Sequence, residues 1–412
     1  MPACRPACAL QVRVQCRQIN DLEVLFLIRK PTATNSTFGA SAIQPLVNSS
    51  NKCGACAGRP SAYLIRKMLQ LSPVAHTMSY LSWKISVPQP ESTMAMNRVQ
   101  FQHGLPMIEF FEIYGTQAQC EAVLREWRWP NGFVCPRCPQ PEINHVEFRR
   151  ASRLYFQCCA CRYQCSLVAG TIFESSKLSL PKWFVAMHLI TQAKNNVSAL
   201  ELKRHLGVSY PTAWLIKHKL MEVMRQREES RQLTGRVEID DAYLGGEYHG
   251  GKPGRGSPNK VPFVAAVQTT ESGAAVVACF SARPFTKESI DEFAARSLVA
   301  PATLVSDGLG CFTAVSAQGI HHERHVTGGG AKSVKSPHFL TINTVLGNLK
   351  TSLAGTYHSY DFAKYAHRYL AQVQYLFNRR FDLRAILVRL ARAACDTKPC
   401  PLKAISAAEV SC

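Results

Sequence analysis

Two short cysteine repeats constrain the fold of this chain more than any other feature. "FVCPRC" sets Cys135 and Cys138 in a Cys-x-x-Cys turn, and "FQCCAC" does the same for Cys158 and Cys161. Such a turn aims two thiolates at one point, and two turns complete a tetrahedron around a zinc ion. The residues between the pairs include "EFRR" and "RLYFQC", strand-like segments that suit a β-hairpin linking two knuckles. Four protein ligands leave no position for water, so the expected role of the zinc is structural. Cys159 and Cys165 are spare; Cys159 is an alternative ligand that the x-x spacing disfavours. A lone "CGAC" at 53–56 has no second pair nearby and does not read as a metal site.

The compartment decides how the 17 cysteines are read. The start, "MPACRPACALQVRVQCRQ", has no continuous apolar region of signal-peptide type. The longest apolar stretch, "WFVAMHLI", is less than half of the roughly 20 residues that a membrane helix needs. The expectation is a cytoplasmic protein with no membrane partner, and in a reducing cytosol close cysteine pairs point to metal. The charge is far from balanced, with 48 Lys and Arg against 28 Asp and Glu and a net charge of +20. That surplus points to a polyanion, nucleic acid above all, whose neutralised phosphates release counterions. At 412 residues and 46% hydrophobic content, the chain has room for two or three domains and is not disordered throughout.

Along the chain the patterning changes several times. Residues 1–93 are polar and aperiodic; they read as a disordered extension or a mispredicted start, with Met94 or Met96 as the ancestral beginning. Residues 94–132 read as a helical segment with two helices over 106–128, stopped by Pro130. A zinc ribbon is expected over 133–170 and a helix-turn-helix-like DNA-binding unit over 171–232. A mixed α/β unit follows over 233–393, and an unstructured tail over 394–412. The fold class is therefore multidomain α/β.

Within the helical unit, "SALELKRHL" ends at Gly207, a residue suited to a left-handed cap, and Ser209 can cap the next helix with Pro211 in its first turn. The second helix is expected to present Thr212, Lys217 and Lys219 away from Trp214, Leu215 and Leu220, as a major-groove helix would. In the ribbon, Arg149, Arg150 and Arg153 are the candidate DNA contacts.

In the α/β unit, "GRVEIDDAYLGGE" reads as a strand delivering Asp240 on one face and Asp241 on the other. "VPFVAAVQT" and "AAVVACF" continue as two apolar strands, "KESIDEFAARSLV" as a helix, and "ATLVSDGLG" as a buried strand ending in Asp307. Aspartates so placed are costly unless paired or bound to cations, so Asp240 and Asp307 are expected to face each other and share divalent metal. Strand-strand-strand-helix-strand followed by a helix with a third polar ligand is the ribonuclease-H-like arrangement for two-metal phosphoryl transfer. In "TINTVLGNLK" Asn343 falls where that ligand belongs. Lys350 lies almost two turns later on the same face, where it can pair with DNA phosphate.

The ordered set "WRWPNGFVCPRC", "FQCCACRYQCSLVAGTIFESSKLSL", "VEIDDAYLGG", "VSDGLGCF", "VTGGG", "INTVLGNLK", "GTYHSYDFAKYAHRYL" and "YLFNRRF" resembles bacterial insertion-sequence transposases with an N-terminal zinc ribbon and a DDE-type core. The resemblance runs from about Met96 to Arg380. One branch of that family carries Asn as its third residue with Lys seven positions on, which implies a catalytic set of Asp240, Asp307, Asn343 and Lys350. It also implies Mg²⁺ or Mn²⁺ at the first three of these residues. The activity implied is hydrolysis at a transposon end followed by attack of the freed 3′-OH on target DNA. The implied partner is double-stranded DNA, bound by a homo-oligomer in the bacterial nucleoid. The chain departs from the pattern in its extension, in Gln372 where Glu is expected, and in Cys165 where an aromatic is expected. The competing readings are a non-catalytic DNA-binding regulator and a related structure-specific nuclease.

Overall fold

The computed structural model describes residues 99–138, 144–246, 257–327, 336–358 and 360–407. The expected extension 1–93 and its "CGAC" repeat lie outside them. Helix α1 (Met107–Tyr114) starts at Pro106 and buries Phe110 and Tyr114. Helix α2 (Gln117–Arg128) is opened by a capping box in which Thr116 and Gln119 satisfy each other's backbone N–H groups. Strands β1 (His145–Arg150), β2 (Arg153–Cys158) and β3 (Gln164–Ser166) form an antiparallel sheet. At its centre Phe156 is buried, stacked on Phe133 with ring centroids 5.2 Å apart and met edge-on by Trp129.

Three helices follow: α3 (Leu180–Gln192), α4 (Ala199–Leu206) and α5 (Tyr210–Glu229). Ser198 and Ser209 accept N–H groups of the first turns of α4 and α5, and Gly207 closes α4 at a left-handed φ of 60°. The caps at Gly207 and Ser209 fall where the sequence puts them, and Ser198 adds a third.

The α/β unit is a five-stranded mixed sheet of order β6-β5-β4-β7-β8. Its strands are β4 (Leu233–Leu244), β5 (Val261–Thr269), β6 (Ala275–Ala282), β7 (Leu298–Ser306) and β8 (His321–Arg324), with α6 (Lys287–Ser297) before β7. Strands β4, β5 and β6 are antiparallel neighbours, whereas β7 runs parallel to β4 and β8 parallel to β7. Side-chain alternation sorts the strands into two faces. Val237, Ile239, Val264 and Ala266 pack with Ile290 and Phe293 of α6. Ala242, Phe263, Ala265 and Val267 pack with Ile342, Val345 and Leu349 of α7 (Leu340–Thr356) and with Leu370 of α8 (Phe362–Asn378). Helices thus flank a ribonuclease-H-like sheet.

The carboxyl-terminal region corrects an expectation. Residues 394–412 were expected to be an unstructured tail, but α9 (Leu383–Asp396) runs through residue 393, and α10 (Leu402–Ala407) follows it. Ile386, Leu390, Cys400 and Ile405 are buried in the same core as α1 to α5, and the Ile405 carbonyl accepts from Arg368. A helix of six residues is too short to show a hydrophobic period, which is why the sequence hid it. Residues 408–412 lie outside the described part.

Candidate metal centres and nucleic-acid face

The four ribbon cysteines converge. Cys135 Sγ lies 3.6 Å from Cys161 Sγ, Cys138 Sγ lies 3.9 Å from Cys158 Sγ, and all four sulfurs fall within 4.8 Å of one another. Tetrahedral zinc–thiolate bonds of about 2.3 Å require sulfurs about 3.8 Å apart, so the set fits zinc. The N–H groups of Cys161 and Ala160 pull the Cys158 thiol down to about 7, while its hydrogen bond to Cys161 pushes Cys138 up to about 12. Cys159 is exposed and outside the cluster, and Cys165 is buried in the core that the ribbon shares with the helices.

The second centre lies where two parallel strands part. Strand β4 pairs with β5 as far as Leu244, but its pairing with β7 ends at Glu238 and Val305. Beyond that point β7 stops at Ser306, and Asp307 follows in a turn held by its own Oδ1, which accepts the Leu309 N–H at 3.1 Å. Gly308, at φ 90°, takes a conformation that a side chain would strain. Ser306 Oγ accepts the Gly308 N–H and bonds His322 Nε2 at 2.7 Å, which ties the turn to β8. The gap so formed is the crevice outside the carboxyl ends of the strands, the usual ligand position in open α/β sheets.

Carboxylate oxygens of Asp240, Asp241 and Asp307 meet in this gap within 4.8 Å of one another. Burial pushes the Asp240 carboxyl up to about 7, reinforced by the charges of Asp241 and Asp307 and opposed by Lys350. The presence of Asp241 is a correction. Strand alternation sends it to the opposite face from Asp240, yet its carboxylate lies within 4.8 Å of those of Asp240 and Asp307, beyond the end of the β4–β7 pairing. The adjacent pair in "EIDDAY" was the available signal.

Helix α7 carries the remaining expected residues. Glu238 Oε2 accepts the Ile342 N–H at 2.9 Å, one residue before the half-buried Asn343. Lys350 is exposed further along α7, close enough to Asp240 to lower its pKa. Gln372 is buried on α8, where its Oε1 accepts from the Tyr357 hydroxyl at 3.5 Å.

The expected DNA contacts divide. Arg149, Arg150 and Arg153 are exposed but tethered, to Glu121 at 2.5 Å, to Gln164 at 3.1 Å and to the Ser176 carbonyl at 2.6 Å. Thr212 is half-buried, and its hydroxyl bonds Ser209 at the cap of α5. Lys217 and Lys219 do not face solvent, being 1% and 6% exposed. Lys217 Nζ donates to the Val197 carbonyl and to the Tyr357 hydroxyl, and desolvation drives its pKa well below the usual lysine range. Lys219 Nζ donates to the Ile172 carbonyl at 3.0 Å. Neither is a phosphate contact. Their long stems pack as apolar groups, and backbone carbonyls outside the helix receive the amines.

Comparison with known proteins agrees with this architecture. Residues 232–378 match the ISXO2-like transposase domain, and residues 115–164 match the transposase zinc-ribbon domain. The chain is 32% identical over 130 residues to an uncharacterized protein in transposable element ISH50 of Halobacterium salinarum. That match covers 31% of this chain and 42% of the relative, so the chain spans less than half of the relative's length.

Proposed function

We propose that this chain, which carries the zinc ribbon and the DDE-type domain of insertion-sequence transposases, binds the terminal inverted repeats of its element and cuts and joins DNA there. The observation that carries the reading is the meeting of Asp240, Asp241 and Asp307 in the gap between β4 and β7, inside the segment that matches the transposase domain. The donor set is all oxygen, which suits Mg²⁺ or Mn²⁺ and not a thiolate-seeking metal. Asp240, Asp307 and the amide oxygen of Asn343 would hold the ions. Asp241 adds a third negative charge to a set whose third member is neutral. Divalent ions supply at such a centre the Lewis acidity that activates an attacking oxygen and stabilises a leaving one.

The chain's own residues do the rest. Lys350 pairs with backbone phosphate beside the gap, and the exposed arginines of the ribbon, with the net charge of +20, hold the duplex. Thr212, at the start of α5, is left as the helical unit's contact. The protein acts on chromosomal DNA in the cytoplasm, as a homo-oligomer that brings two ends together. Among the described residues no helix is long and apolar enough to cross a membrane.

The test is strand cleavage and joining on duplexes taken from the DNA flanking the reading frame, in Mg²⁺ or Mn²⁺, with binding followed separately. Asp240→Ala and Asp307→Ala should each abolish cleavage and leave binding intact. Cleavage by either variant at the parent rate would refute the assignment.

A further inference from the structure

The lip of the acidic gap carries an exposed guanidinium. Arg324 is the last residue of β8 and pairs in register with Ser306, the residue before Asp307. Its Nη2 donates to the Gly308 carbonyl at 3.3 Å. A Cβ built on Gly308 would lie 3.5 Å from its Nε and 3.6 Å from its Nη2, so the group rests against the turn that holds Asp307. Arg324 is nevertheless exposed. Its strand neighbour Glu323 pairs with Arg236 at 3.6 Å and lies 3.8 Å from His325. Of the five N–H donors of a guanidinium, the Gly308 carbonyl takes one among the described residues.

We infer that Arg324 holds a phosphate of the DNA strand lying across the acidic gap, next to the phosphodiester that is cut. The inference rests on the reading of the gap as a strand-cleaving centre. Divalent ions at the carboxylates would offset the charge at the phosphodiester that is cut, but the phosphates on either side need their own cations on the rim. Lys350 offers one on α7, and Arg324 offers another at the end of β8, over the Asp307 turn. The planar fork of Arg takes two phosphate oxygens at once, which fixes the strand's position as well as its charge. The guanidinium's contact with the Gly308 carbonyl keeps it close to the turn and thus close to the strand's path.

The experiment measures binding of a duplex from the DNA flanking the reading frame by fluorescence anisotropy, across a salt series and without divalent ions. The full chain is used, with Arg324→Gln and Arg324→Lys beside the parent. Arg324→Gln should bind several-fold more weakly, with a log–log salt slope shallower by about one ion. Arg324→Lys should recover the slope. Methylphosphonate replacement of single phosphates locates the contact: one position should weaken the parent and leave Arg324→Gln unchanged. Mn²⁺ uptake by Arg324→Gln, measured by electron paramagnetic resonance, should equal the parent's and thereby report an intact centre. If it does not, Arg324→Lys alone carries the phosphate scan, and its weakening at that position should be smaller than the parent's. Parent-like affinity and slope in Arg324→Gln, or the lack of any coupled phosphate, overturns the inference. Asp307→Ala is run in parallel; cleavage by that variant would refute the reading of the gap itself, whatever Arg324 does.

Discussion

The carboxylate of Glu238, 2% exposed, accepts the backbone N–H of Ile342 at 2.9 Å and so fastens the central strand β4 to the first turn of α7. Glu238 precedes Asp240 by two positions on one face of the strand, and Ile342 precedes Asn343. This carboxylate, together with the apolar packing of α7 on the sheet, therefore ties the positions of two of the three expected metal-holding residues to each other. Burial raises the Glu238 pKa, and the N–H groups of Ile342 and Thr341 and the charge of Arg236 oppose that rise.

Glu238→Ala leaves a buried N–H without its acceptor, a loss of about 1–3 kcal/mol. Urea unfolding should show that loss, and Mn²⁺ affinity should fall in the molecules that stay folded. Glu238→Gln keeps an acceptor oxygen and should recover most of both. Equal Mn²⁺ binding by Glu238→Ala and the parent would show that the bond does not position the centre.

Asp240 makes the ion-free protein sensitive to pH. Its carboxyl rises from 3.8 to about 7 on folding, so the folded state binds the proton more tightly than the unfolded chain. The stabilisation from that proton is present in full below the unfolded value and is lost as pH climbs toward the folded one. Between about pH 4 and 7 the urea midpoint of the parent should therefore fall relative to that of Asp240→Asn, which has no proton to lose. Parallel profiles would rule out the raised carboxyl. Ion uptake below pH 7 should release protons, which calorimetry in two buffers can count.

Zinc is tested by Cys135→Ser. One equivalent per chain is expected in the parent, and the variant should lose zinc and the ribbon's fold together, because metal binding supplies much of the folding energy of such modules. A full zinc complement in the variant would contradict the ligand set.

Asn343 separates ligand from bystander. Asn343→Ala should be severely impaired in cleavage with DNA binding retained, and Asn343→Asp should retain activity by offering an anionic oxygen. Lys350→Ala should weaken binding of the DNA end with a shallower salt slope. Parent-like cleavage by Asn343→Ala would remove Asn343 from the centre.

Lys217→Ala should behave as a core mutation. It removes a buried stem and the donor to the Val197 carbonyl, for a loss of about 2–5 kcal/mol in stability. The salt slope of DNA binding, measured on folded protein, should not change. A shallower slope would place Lys217 at a phosphate after all.

What the sequence revealed was local or periodic. The cysteine spacing, the caps at Gly207 and Ser209, and the strand end at Asp307 depend on few neighbours. What it hid depends on distant ones. Lys217 and Lys219 read as solvated because the carbonyls of Val197 and Ile172, which take their protons, belong to segments with no period to align them. Asp241 was left out of the centre because alternation turns it away from Asp240, and only the fold shows that its carboxylate still comes within 4.8 Å of the other two. Residues 402–407 carried no readable pattern because their partner surface, α5 and α8, is elsewhere in the chain.

The core that α1 to α5 share with α9 and α10 has a consequence for the order of folding. Its two parts are separated in the chain by the whole five-stranded sheet. During synthesis, at roughly 5–20 residues per second, Leu202, Ile216 and Leu220 emerge on the order of ten seconds before Ile386 and Leu390 arrive to cover that core. The sheet, all of whose strands precede α9, can close first. The helical unit is then completed by the last helices made, so a nascent chain cannot finish that unit before the whole five-stranded sheet has been translated.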